Sequence, residues 1–126
     1  PNGAILSYPV ITSGEYAHRG SFVNLLGDRY EELLDYVSLE KQAGAQNPPT
    51  FIWHTYSDQA VPVENSLFFI EALRKYQVPV EMHIFPEGPH GLSLANRETI
   101  ASLEEKEYTA VQPWMELSCT WIRNLK

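Results

Sequence analysis

Apolar residues gather in three short runs, and each run closes on turn-forming residues. Gly3–Tyr8 (GAILSY) stops at Pro9, Thr50–His54 (TFIWH) stops at TYSDQAVP, and Pro79–Phe85 (PVEMHIF) stops at PEGPHG. Their length and their β-branched and aromatic content predict buried strands near 3–8, 50–54 and 79–85. Between the second and third runs the spacing turns helical: Val63–Tyr76 (VENSLFFIEALRKY) places Leu67, Phe68, Ile70 and Leu73 on overlapping faces. Glu64 at its start and Arg74 and Lys75 at its end suit the helix dipole. Strand, helix and strand in this order predict a parallel βαβ unit, whose two strands end on one rim of the sheet.

Polar positions dominate elsewhere. Ile11–Gly27 (ITSGEYAHRGSFVNLLG) mixes Gly, Ser, Thr and Asn with scattered aromatics and reads as a long loop holding one short helical turn. Arg29–Ala45 (RYEELLDYVSLEKQAGA) sets Leu33, Leu34, Val37 and Leu39 among acids, as one or two helices do, and QNPP ends it. The stretch at about 12–47 is thus a mostly helical, lid-like excursion between two strands. Arg97–Tyr108 is charged and helix-prone, which reads as a solvated face. A last helix starts near Gln112 with Pro113 in its first turn. Its stripe of Trp114, Leu117, Ser118, Trp121, Ile122 and Leu125 is spaced to pack on the sheet. The fold class is α/β: one domain over 1–126, with a three-stranded parallel sheet flanked by helices.

Composition narrows the function. The 16 acidic and 9 basic residues give a net charge of −7, and no local basic patch offsets it, so nucleic acid and anionic membrane surfaces are poor partners. No apolar run is long enough to span a bilayer, which fits a soluble protein, and the residues fix no compartment. Cys119 is the lone cysteine and forms no intrachain disulfide; its apolar helical setting reads as a buried, inert thiol. His18, His54, His83 and His90 match no metal-ligand spacing, so no metal site is expected, and no cofactor motif stands out. His54 and His83 lie in strands and read as satisfied or partly buried histidines.

Asp58, in SDQAVP, alone reads as an Asx-turn or a cap near the helix start. His90, in GPHG, alone reads as a turn histidine. Taken together on one rim they acquire a chemistry. Acyl transfer to a hydroxyl needs an imidazole to take the proton and a buried carboxylate to orient that imidazole and stabilise its charge. Acid before histidine, after successive strands, is the order of the last two members of an α/β-hydrolase triad.

The run from Pro48 to Ala95, with D-x-x-V-P, the V-P-V-E strand and G-x-H-G, resembles the C-terminal part of an α/β-hydrolase of the acetylesterase and acetylxylan-esterase-like group. That group is related to the dienelactone hydrolase and prolyl oligopeptidase catalytic domains. PNGAILSYPVIT also resembles the strand that follows the nucleophile helix in these enzymes. The resemblance implies that Asp58 is the triad acid and His90 the general base. It further implies that the three strands are the sixth to eighth of the family sheet. It brings Tyr16, His18, Arg19 and Phe22 near the acyl or leaving-group side of a pocket, although a loop that merely covers the core fits them as well. The implied substrate is a small acyl ester or an acetylated saccharide.

The sequence departs from the family at one decisive point: it contains no G-x-S-x-G, and neither Ser7 in LSYP nor Ser93 in GLSL sits on a glycine-framed elbow. The expectation is a C-terminal fragment of a serine esterase, inactive alone, whose first strand leaves an open edge that favours self-association. Strict monomers at high concentration would count against that association. Two other readings stand beside it: a flavodoxin-like binding module, and a non-catalytic remnant of the hydrolase fold used in assembly.

Overall fold

The computed structural model describes residues 1–99 and 107–125. Three strands, β1 (Ala4–Ser7), β2 (Thr50–Thr55) and β3 (Val80–Phe85), form one parallel sheet in the order β1-β2-β3. Register is set by Ala4 opposite Thr50 on one side and by Thr50 opposite Val80 on the other. The strands anticipated near 3–8, 50–54 and 79–85 are therefore present within a residue or two at each end. β2 is buried along its whole length, as a central strand covered on both faces must be.

Alternation along β2 builds two cores. Phe51 and Trp53 point to one face and pack with Leu92, Ala95, Val111 and Trp114. Ile52 points to the other and packs with Ile11, Phe69, Leu73 and Val78. The first core is covered by helix α5 (Trp114–Asn124), which begins just after Pro113 and stacks Trp114 on Trp53 with ring centroids 5.0 Å apart. Ile122, expected in the packing stripe, is half-exposed, and Cys119 is only partly buried.

The second core is covered by α4 (Glu64–Lys75). Its buried face is Asn65, Ser66, Phe69, Ala72 and Leu73, not the face centred on Leu67 and Phe68, which are 42% and 36% exposed. The cause is polar: Asn65 and Ser66 turn inward because buried partners await them, and this rotates the helix.

The excursion between β1 and β2 holds more helix than its composition suggests. Arg19–Leu26 forms a two-turn helix, α1, where Gly20, Ser21 and Asn24 point to a loop. Burial of Phe22 overrides those weak propensities. A 3₁₀ turn over Gly27–Arg29 leads to the single turns α2 (Tyr30–Leu33) and α3 (Leu39–Gln42). Much of the charged stretch over Arg97–Tyr108 lies outside the described residues; Arg97–Thr99 is a turn.

Candidate active site

The loops after β2 and β3 meet on the rim where parallel strands bring them. Tyr56 N–H donates to Phe85 O at 2.7 Å, extending the pairing just past the strands. Gly88 is then held at both of its backbone polar groups: its N–H donates to Ser57 Oγ at 3.0 Å, and Thr55 Oγ1 donates to its carbonyl oxygen at 2.7 Å. Gly88 is required there. Its φ is 152°, and a Cβ would lie 2.4 Å from the buried Leu92 side chain.

This clamp sets Asp58 against His90. The Asp58 side chain is fully buried, and its two oxygens have separate tasks. Oδ1 accepts from the backbone N–H of Ala60 and of Val61, both at 3.0 Å, closing an Asx-turn into α4. Oδ2 accepts from His90 Nδ1 at 2.8 Å. The Asx-turn expected of Asp58 is therefore present at Oδ1, while Oδ2 is the oxygen that meets His90. His90 is 34% exposed, and its Nε2 has no hydrogen-bond partner among the described residues.

Tyr8 braces the histidine from the end of β1. Its ring meets the His90 ring edge-on at 4.8 Å and the Trp53 ring at 4.9 Å. Its hydroxyl accepts from Ser93 N–H at 3.1 Å, which ties down the turn that follows His90. Both residues have left-handed backbones, with φ of 38° at Tyr8 and 51° at Ser93, conformations that persist only where surroundings enforce them.

Behind Asp58 lies a second imidazole. His54 is fully buried at the end of β2. Its Nε2 is 2.8 Å from Val61 O and 3.3 Å from Asp58 Oδ2, and its Nδ1 is 2.7 Å from Ser66 Oγ. Burial lowers its pKa below the ordinary histidine value, a pull that its hydrogen bond to Val61 O and the nearby Asp58 charge oppose.

A buried carboxylate bonded to an imidazole beside a clamped turn, on one rim of a parallel sheet, narrows the candidates, and comparison with known proteins gives the family. The prolyl oligopeptidase family matches at residues 6–115. This chain belongs to that family.

Among proteins of known structure, an acetyl ester-xyloside bifunctional hydrolase from Caldicellulosiruptor lactoaceticus is 41% identical, with a TM-score of 0.81 over 98% of this chain. An α/β hydrolase from a Medee basin deep-sea metagenome is 31% identical, with a TM-score of 0.75 over 99% of the chain. Endo-1,4-beta-xylanase B of Butyrivibrio fibrisolvens is 49% identical over 113 residues, 89% of the chain. The chain spans 42% and 44% of the two structural relatives and 18% of the xylanase-named one. The fold is thus that part of an α/β-hydrolase, and the flavodoxin-like reading is set aside.

In this prolyl oligopeptidase family chain, the residues singled out in the excursion have partners of their own. The Tyr16 ring packs on Phe68 at 5.8 Å, His18 Nδ1 bonds Ser21 Oγ at 2.9 Å, Arg19 is exposed and Phe22 is buried. None of these contacts reaches Asp58 or His90. Ser7 Oγ accepts from Trp53 Nε1 at 2.8 Å.

The sequence reading did not single out Tyr8, Asn65 or Ser66. The inward positions 65, 66, 69, 72 and 73 of α4 share one helical face, and two polar residues there were the available signal. Among the described residues no group of three or more His, Cys, Asp or Glu could hold a metal, and no helix is long and apolar enough to cross a membrane.

Proposed function

We propose that this chain carries the acid and the base of a serine carboxylic ester hydrolase whose nucleophile lies outside residues 1–126. The observation that carries the reading is the 2.8 Å bond from His90 Nδ1 to the buried Asp58 carboxylate, with Nε2 unbonded among the described residues on a side chain that is 34% exposed. In that state Nε2 takes the proton of a serine hydroxyl as it attacks the acyl carbon, while Asp58 stabilises the imidazolium. The same nitrogen then returns the proton to the departing alkoxide, and water later releases the acyl group by the reverse roles.

A small acyl ester, and among these an acetylated saccharide, is the substrate class this reading favours. Two relatives named for xyloside and xylan chemistry support it. A cleft of about 470 Å³ beside His90 also supports it. Ser57, Gln59, Glu87 and Tyr108 line that cleft together with Ala60 and Pro89, a mixed polar and apolar wall of the kind a saccharide ester meets. The helical excursion at about 12–47 serves as a lid, and the outer edge of β1 is where a nucleophile-bearing half, or a second copy of the chain, joins the sheet.

The chain alone is inactive on this reading, because it has no G-x-S-x-G and no oxyanion donors. The test uses a longer protein in which a G-x-S-x-G strand–helix unit precedes Pro1. Its turnover of an aryl acetate drops by about three to four orders of magnitude in His90→Ala and Asp58→Asn. Unchanged turnover in His90→Ala rejects the base assignment, and an upstream sequence without G-x-S-x-G rejects the esterase reading.

A further inference from the structure

The imidazole behind the acid has no place in the scheme above. His54 is fully buried, so each of its ring nitrogens needs a partner of the right polarity. Nε2 faces two oxygens that carry only lone pairs, Val61 O at 2.8 Å and Asp58 Oδ2 at 3.3 Å, so this nitrogen bears the proton. Nδ1 faces the Ser66 hydroxyl at 2.7 Å, which donates to it. Burial, which disfavours the charged ring, keeps the imidazole neutral.

The consequence runs to Asp58 by two routes. Through space, the Nε2–H dipole points positive toward the carboxylate oxygen that binds His90. Through the backbone, His54 fixes the Val61 carbonyl, and the amide of that same residue donates to Asp58 Oδ1 at 3.0 Å. His54 thus hydrogen-bonds the residue that holds Oδ1 and stands 3.3 Å from Oδ2. From this geometry we infer that His54 is a positioning residue, a neutral Nε2–H donor that fixes the Asp58 carboxylate in the one rotamer able to receive His90 Nδ1–H. The effect on catalysis rests on the esterase reading; the positioning itself does not.

Nuclear magnetic resonance of the chain tests this without any substrate. Imidazole ¹⁵N shifts are expected to show His54 with a protonated Nε2 and a pyridine-type Nδ1 at neutral pH. An Nδ1–H tautomer or an imidazolium there overturns the proposal whether or not any variant folds.

The second readout is the His90 Nδ1–H proton. In His54→Met its exchange with solvent is expected to rise at least about tenfold, since hydrogen bonds to a charged group are among the stronger ones. His54→Gln, which keeps a donor at the Nε2 position, restores slow exchange. A folded His54→Met with unaltered exchange overturns the proposal.

In a longer protein with esterase activity, His54→Met is expected to lower kcat and leave KM unchanged, with recovery in His54→Gln; equal activity in wild type and His54→Met overturns the catalytic part. Failure of that longer protein to hydrolyse esters removes the esterase reading and leaves the resonance results standing.

Discussion

Replacing Asn65 by alanine isolates what fastens the excursion to the sheet. Asn65 is fully buried, and its amide makes four hydrogen bonds. Oδ1 accepts from the N–H of Ile11 at 2.9 Å and of Thr12 at 3.0 Å, and Nδ2 donates to Tyr16 O at 2.9 Å and Pro62 O at 3.0 Å. Alanine leaves these groups unequally placed. Pro62 O keeps a bond from the Asn65 backbone amide, and Tyr16 is only partly buried. The amides of the buried Ile11 and Thr12 have no such recourse.

Each orphaned buried donor costs about 1–3 kcal/mol, so the substitution is expected to cost about 3–4 kcal/mol in total. That is a large share of a stability that is about 5–15 kcal/mol in native domains. With a urea dependence of about 2 kcal/mol per molar, the unfolding midpoint falls by about 1.5–2 M. Amide exchange read residue by residue adds the location: Ile11 and Thr12 lose protection, while Phe51 and Ile52 in β2 change only as far as global stability does. A midpoint shift under about 0.3 M with Ile11 and Thr12 still protected would refute the reasoning.

Two further outcomes follow from the site. Gly88→Ala, whose Cβ would meet buried Leu92 at 2.4 Å, is expected to cost about 2–4 kcal/mol. Gly91→Ala, with φ of 81° and open space around it, costs only about 1–2 kcal/mol from backbone strain; equal losses in urea unfolding would contradict this. For pH, the unfolded chain binds a proton at His54 near the ordinary value of 6.5 that the folded chain resists, so stability is full above that pH and declines below it. The slope contributed by this one group is at most about 1.4 kcal/mol per pH unit, and urea midpoints for His54→Met that fall as steeply as wild type would exclude it.

Much of this fold was legible because strong signals agreed. TFIWHT carries apolar or β-branched residues at every position but His54 of a strand buried on both faces, and VENSLFFIEALRK holds helical spacing with the right charges at both ends. Asp58 and His90 were legible because parallel topology alone brings the ends of β2 and β3 to one rim.

What stayed hidden depends on contacts across long sequence gaps. α1 forms around the single buried side chain of Phe22 and gives almost no periodic signal. The direction in which α4 faces is decided by Asn65 reaching residues more than fifty positions earlier. His54 lies four residues before Asp58, a spacing that carries meaning only once the chain has left the strand and doubled back over Val61.

The division of labour at Asp58 bears on how such chains evolve. One carboxylate oxygen holds the turn into α4 and the other holds His90, so one position serves the fold and, on the proposed reading, the chemistry as well. A lineage released from catalysis would still keep an acceptor at position 58, aspartate or asparagine, because the turn collapses without it. His90 hydrogen-bonds through its ring only to Asp58 among the described residues and otherwise packs edge-on against Tyr8, so it holds no turn as Asp58 does and is the freer of the two to drift. In a gene tree of relatives, the residue at 58 then records descent, and on the proposed reading the residue at 90 records whether hydrolysis is retained.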